Sequence, residues 1–594
     1  MWTLEGYNHL LLCAQELQTT GGAVPAAWDI TILETLALLD AQLREFADGV
    51  AEDSYAVWLG AGISLGKLPG LQGVAEAVLE HVRSQIDHTD PECAFKLCLD
   101  NMLGLVVLNG AQRAEIDYAA PAASWRPIDE IRKQLVSRYG TMLDQAPASK
   151  TLDYLVWEGV QVVARYANPA TTPGPEHLGL AALIMEGVAS DSSSANWDDL
   201  IEKAVRILDG STSSVLQVRV LPGDVQNNVR RARLYKFHGC AALAGQNEPV
   251  YRPRIVAREA QIHGWADKPE NQVIAGKLLD LAISKATLML GLSAQDTNIQ
   301  EVFVKARTQL PASFPTRPPA VMVSENNVGT HQRSLLQNFY RNDYEGQTAE
   351  INSASLVKSY ARSLLPSLWL YVVCAKLAAM VDKATPGLLP ADRDRLRFGL
   401  MTLRNLAAGA ADPNDHEGFM LKALRVAGRA LRLFTRGRLP AVGHGIYTPL
   451  SDKGLTQTLA DPHLDTDGLV ELSLALALIG RGVQEGHWTC VANDTANAKA
   501  GAIALSGVTG QSEVFFAASA HAAAQIFAQG HVADDDDAIM IHSFEVPARA
   551  ARHPTSAPGR TGKLSLREFS VSSIARNAIS LDTLLRQFKA EMVL

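Results

Sequence analysis

Four short stretches of this sequence hold residue types that can carry chemistry. Gly60-Ala61-Gly62-Ile63-Ser64 places two glycines where a strand would turn into a helix. Such a turn lets backbone N–H groups approach an anion such as a pyrophosphate at a helix N-terminus. On its own the run is weak, because position 65 is Leu and the third glycine is Gly66, short of a full G-x-G-x-x-G. Ser194-Ala195-Asn196-Trp197-Asp198-Asp199-Leu200-Ile201-Glu202 reads as a polar run opening an amphipathic helix. Its carboxylates fall in the first turn, where the helix dipole favours them and capping competes with any ligand role. Asn196 then stands just ahead of the helix, able to hold a sugar hydroxyl or a water. Tyr235-Lys236-Phe237-His238-Gly239 sets a histidine at a strand end, suited to general-base work near neutral pH, although a lone histidine is more often structural. Gly291-Leu292-Ser293-Ala294-Gln295-Asp296 is a second glycine turn, with Ser293 and Asp296 able to bind sugar hydroxyls.

The elements that must position these residues are legible in the periodicity. Leu33, Leu36 and Leu39 recur at helical steps, as do Leu10 and Leu11 nearer the N-terminus. Apolar runs at Ser54–Leu59, Leu234–Phe237, Ala286–Leu290 and Pro319–Val323 predict strands that end at glycine or small polar residues. Strands alternating with helices predict a doubly wound parallel sheet, which binds ligands at the carboxyl ends of its strands. Residues of about 75–165 read as a helical insertion, and 346–435 as a helical connection. Residues 436–594 read as a C-terminal α+β domain. Its expected strands are Trp488–Ala492, Ala500–Leu505, Glu513–Phe516 and Ala538–Val546, with a helix at Ala520–Gln529.

Composition narrows the classes. The 594 residues exceed one core, and the formal net charge of −9 argues against a dominant non-specific grip on nucleic acid. Six cysteines without a C-x-x-C pair predict a reduced, cytoplasmic chain. The N-terminal MWTLEGYNHLLLCAQELQ lacks a basic n-region and is a poor signal peptide. The apolar stretch Leu364–Val381 is interrupted by Pro366 and Lys376, so a buried helix is expected rather than a membrane span. Asp534–Asp537 reads as a solvated loop, and the basic Arg549–Arg567 segment as a surface loop.

Taken in order, GAGIS, N-W-D-D-L-I-E, K-F-H-G and G-L-S-x-x-D resemble the motif series of the sirtuin superfamily. They are most similar to divergent bacterial sirtuin-like domains of anti-phage defence proteins. The resemblance covers about 54–330, including Pro175-Glu176-His177-Leu178, where His177 reads as a packing residue. It implies a Rossmann-like α/β domain over 1–345 that binds NAD as its substrate. Gly60, Ala61, Gly62 and Ser64 would line the phosphate and ribose site, and Asn196 and Asp198 would flank the nicotinamide ribose. His238 would be the general base, and Gly291, Ser293 and Asp296 would hold the adenosine side. Ala195 departs from the usual Gln or Thr and removes a hydrogen-bonding group.

The zinc ribbon of protein deacetylases is missing, since no cysteine follows Cys240 until Cys374, so no zinc is expected. Leu68-Pro69-Gly70-Leu71-Gln72 replaces the Asp-Phe-Arg segment of those enzymes. The resemblance therefore implies NAD hydrolysis in anti-phage defence, held off until triggered, with a non-catalytic NAD- or ADP-ribose-binding module as the alternative. It also implies a homo-oligomer and, as a partner, a hexameric HerA-type ATPase of the DNA-translocase kind or another defence protein. Neither a membrane nor direct nucleic-acid binding is expected.

Overall fold

A computed structural model describes residues 26–210, 215–226, 231–309, 313–439, 444–491, 501–533, 537–546, 566–576 and 578–594. The periodicity at Leu10 and Leu11, the Asp534–Asp537 run and the Arg549–Arg567 loop lie outside these residues, apart from Asp537, Leu566 and Arg567. The first described helix, Ile32–Asp40, opens with a reciprocal cap. The Glu34 N–H donates to Thr31 Oγ1 at 3.1 Å and the Thr31 N–H to the Glu34 carboxylate at 2.9 Å.

Among the described residues, seven parallel strands form one sheet. They are β1 Tyr55–Leu59, β2 Asp191–Ser194, β3 Leu216–Arg219, β4 Ala232–Lys236, β5 Ala286–Leu290, β6 Val321–Ser324 and β7 Leu356–Val357, in the order β3-β4-β2-β1-β5-β6-β7. All five side chains of β1 are buried, as expected of a strand covered on both faces. The chain leaves β1 towards β2 on one side and later returns to β5 on the other. The topological switch point, where such sheets bind ligands, therefore lies between β1 and β5.

Two departures from the sequence reading have physical causes. The run Ser194–Glu202, expected to open a helix, follows a strand that the sequence reading did not expect: Asp191–Ser194 forms β2, and the helix starts only at Leu200. Its four residues are buried without one apolar side chain, so hydropathy gave no strand signal. Asp191 is neutralised by Arg233 at 2.8 Å and Lys285 at 3.4 Å. The 346–435 stretch is not wholly helical either, because β7 pairs with β6 at the sheet edge. The sheet and its cover thus continue past residue 345.

That cover comes from α1 (Pro175–Met185) and α4 (Ala361–Ala384), with α2 (Leu200–Asp209) beside α1 and α3 (Thr297–Gln309) following β5. α1 and α4 touch at Gly179, where a Cβ would lie 2.8 Å from the Leu365 Cβ. α4 is long and apolar enough to cross a membrane, yet 72% of its most apolar window is buried within the protein, in keeping with the buried helix expected there. Lys376 within α4 is fully buried. Its Nζ donates to Glu186 Oε2 at 2.8 Å, to the Glu186 carbonyl at 2.7 Å and to the Ser451 carbonyl at 2.8 Å. Glu186 in turn accepts from the Tyr447 hydroxyl and the Leu450 N–H. This network ties the end of α1 to α4 and to the 447–451 segment.

Longer helices that follow include α5 (Pro390–Gly409), α6 (His416–Arg436) and α7 (Leu469–Gln484). They join α4 to a five-stranded mixed sheet of β8 Thr489–Val491, β9 Ile503–Ser506, β10 Gln511–Ala517, β11 Ala538–His542 and β12 Arg567–Ser570. β10, β11 and β12 run parallel and β8–β10 antiparallel, which is the α+β organisation expected of the C-terminal region. Between β1 and β2 the insertion is helical, as expected. Its core includes Val78, Leu99, Ile131 and Leu155, and it also takes in Trp197, Ala241 and Ile255 from the segments flanking β4 and following β2.

Candidate active site

All four chemical motifs leave the carboxyl ends of neighbouring strands. Gly60–Ser64 follows β1, Asn196–Asp198 follows β2, His238 follows β4 and Gly291–Asp296 follows β5. Contacts join them into a ring. The Gly62 N–H donates to the Gly291 carbonyl at 2.9 Å, and the Asn196 amide donates to the Gly60 carbonyl at 3.0 Å. Ser64 Oγ donates to Asp198 Oδ2 at 3.1 Å. His238 joins the third motif to the fourth, its Nε2 accepting from the amide of Asn298, two residues past Asp296, at 2.8 Å.

The glycines serve a packing purpose that the sequence did not suggest. A Cβ on Gly60 would lie 2.5 Å from the Gly291 carbonyl oxygen, and one on Gly62 2.6 Å from the Gly291 Cα. Gly291 itself has φ +59, and its Cβ would lie 2.3 Å from the Ile63 nitrogen. The two turns are therefore glycine-rich because they pack backbone against backbone at the switch point. Ala61, Leu65, Gly66 and Ser293 are exposed along the outer rim of these turns, leaving it open to a ligand.

Asp198 is held from three sides. The Gly174 N–H can only donate, so His177 Nδ1, at 3.0 Å, is the unprotonated nitrogen of a neutral ring. Nε2–H then faces Ser64 Oγ at 3.2 Å, and the Ser64 hydroxyl passes its proton's hydrogen bond to Asp198 Oδ2. Asp198 Oδ1 accepts from the Leu200 N–H at 3.1 Å, and its carbonyl accepts from Lys236 Nζ. Lys236 is buried beside Glu202, with Nζ 3.0 Å from Oε1. Burial disfavours its ammonium, but Cys240, Glu202 and Asp198 outweigh that and hold its pKa above the ordinary lysine value. His177 is thus more than a packing residue, because it orients Ser64 towards Asp198.

His238 is buried, and burial pushes its pKa below the ordinary histidine value against the pull of Asp296, Asn298 and Ala195. The Asn298 amide nitrogen can only donate, so Nε2 is the unprotonated nitrogen of the His238 ring. Asn298 Oδ1 is then a buried acceptor with no hydrogen-bond partner. The unfilled Asn298 Oδ1 can hold a donor such as a sugar hydroxyl or a water, and His238 Nε2 becomes its proton acceptor once the Asn298 amide turns from it. These residues fit the NAD ribose. If His238 is the base, the acid limb of kcat/KM should fall below pH 6.5, the ordinary histidine value, because only the unprotonated ring can act. A pH profile of NAD turnover checks this; an acid limb above 7 contradicts it.

Two expected contributors stand apart from the ring. Ser293 is exposed, and Asp296 Oδ1 accepts from the Tyr139 hydroxyl of the insertion at 2.8 Å. Asn298 and Tyr139 were not singled out by the sequence. Asn298 lies two residues past Asp296, a spacing that could have flagged it, whereas nothing local marks Tyr139.

Residues 193–344 match the family of SIR2-like domains. The match takes in Asn196, Asp198, His238 and Gly291 and about a quarter of the chain. It begins within β2, and the matched stretch shares its sheet with β1 and the Gly60 turn, which lie ahead of it. SIR2-like domains carry NAD-related activity, commonly as NAD-dependent enzymes with NAD as substrate. No curated protein matches the chain. No cluster of three or more metal-ligating side chains occurs among the described residues.

Proposed function

We propose that this SIR2-like domain hydrolyses NAD. Water adds at the ribose carbon, the bond to nicotinamide breaks, and nicotinamide, ADP-ribose and a proton are released. The observation that carries the reading is the neutral, buried His238 set beside the unfilled Asn298 acceptor in the ring of motifs. Loss of nicotinamide leaves an oxocarbenium-like centre, as in glycoside cleavage, and needs an oriented nucleophile more than a strong acid. His238 takes the proton from a ribose hydroxyl or the water. Asn196 and Asp198 orient that group, with Ser64, His177 and Lys236 holding Asp198 in place.

The resemblance to bacterial defence proteins supports a role in anti-phage NAD depletion in the cytoplasm. Such a hydrolase must rest inactive, as an oligomer or under a partner such as a hexameric ATPase, with the C-terminal region as sensor or docking site. The test is nicotinamide release from NAD by the purified full chain, alone and with its genomic neighbour's product. Release above the buffer control supports the reading, and none under either condition counts against it. One observation favours the second reading, a binding module without catalysis. The Asn196 amide and His238 Nε2 are both engaged within the protein, and Ala195 supplies no polar side chain. NAD binding by calorimetry without turnover would select it.

A further inference from the structure

The proposed reaction makes no use of α6, which carries Lys422, Arg425, Arg429, Arg432 and Arg436 at steps of three, four, three and four residues. At about 100° per residue these five side chains fall within an arc of roughly 80°, along a stripe about 21 Å long. The opposite face is buried through Met420, Leu424 and Gly428. Lys422, Arg425 and Arg436 are exposed, and among the described residues none of the three enters an ion pair. Half-buried Arg432 donates to neutral acceptors, Thr448 Oγ1 at 2.8 Å and the Tyr447 carbonyl at 3.2 Å. The helix's one acid, Glu417, is engaged 2.7 Å from Lys67, before the stripe begins. Like charges at these spacings destabilise a helix unless a counter-charge meets them; Glu513 faces Arg429 and Asp209 faces Arg432, which leaves the three exposed cations to be met from outside the described residues.

We propose that this face of α6 binds the phosphate backbone of a nucleic acid. Four of the five cations are arginines, whose planar fork suits phosphate oxygens and stays charged at every physiological pH. A protein partner would need an apolar anchor. Among the described residues, no large hydrophobic side chain between Leu406 and Leu439 is exposed. The chain's net charge of −9 rules out a diffuse coating, and a single line of cations within an acidic protein is the form a localised electrostatic footprint takes. Contacts of this kind position the duplex or strand without reading bases. The inference stands independently of the NAD reading.

The test is fluorescence anisotropy of the full chain with labelled random-sequence DNA, single-stranded and duplex, across a salt series. Four or five phosphate contacts give a slope of log affinity against log salt of about −3 to −4.5. Lys422→Gln/Arg425→Gln/Arg436→Gln should lower affinity more than about 10-fold at low salt and flatten the slope by roughly 2–3. Arg425→Gln alone, the milder change, should flatten it by about 0.7–0.9. Arg126→Gln/Lys133→Gln, on the insertion, should alter neither. The proposal is overturned by no binding of either DNA at low salt, by variants that keep the parent slope, or by binding of labelled polyglutamate where DNA does not bind.

Discussion

Replacing His238 by Ala is expected to lower nicotinamide release at least ~100-fold, the usual scale for a positioned base, with Asn196→Ala costing a similar factor. The two losses have different origins. His238→Ala removes the only group in the ring that is both titratable and proton-free at Nε2. Asn196→Ala leaves that base intact but frees the Gly60 carbonyl and the water or hydroxyl that Asn196 would orient. Calorimetric NAD titration separates chemistry from binding, because a catalytic role predicts lost turnover with affinity largely kept. His238→Gln guards against simple loss of packing, since it retains hydrogen-bonding capacity beside Asn298 without basicity. Wild-type turnover in both Ala variants would falsify the assignment.

A larger effect, on folding rather than turnover, is expected at Lys376. Its ammonium and the Glu186 carboxylate are both fully buried, and each makes its remaining hydrogen bonds to groups from elsewhere in the chain. Removing one partner of such a pair strands the other charge in the core and costs about 3–5 kcal/mol. Lys376→Met should therefore drop the thermal midpoint sharply. The double change Lys376→Met/Glu186→Gln should recover part of the loss, because the amide can still accept from Tyr447 and Leu450. Thermal unfolding of the parent and the two variants side by side checks this; an unchanged midpoint in Lys376→Met would show that the charge reaches water.

These two sites also mark where the sequence was readable and where it was not. β1, β4, β5 and β6 announce themselves as apolar runs ending in glycine or small residues, and the ends of β1, β4 and β5 carry motif residues. β2 does not, since its buried residues are one aspartate and three serines held by backbone pairing and by Arg233 and Lys285. β7 is two residues long, below any periodic signal. Lys376 looked like an interruption of an apolar stretch, when it is the charged half of a core pair whose partner lies 190 residues away. The glycine turns were found for a reason only partly right, because the close approach they permit is to each other. His177 and Tyr139 act through long-range contacts that no local pattern encodes.

The insertion between β1 and β2 has a consequence for descent. Its core is finished by Trp197, Ala241 and Ile255, which flank the Asn196 and His238 motifs, and its Tyr139 reaches Asp296. A lineage that exchanged this segment for another by recombination would import a surface carved for different neighbours, and both motifs would shift with it. The segment and the residues around the two motifs should therefore be inherited together, and a graft from a relative should work only when Trp197, Ala241, Ile255 and Asp296 travel with it.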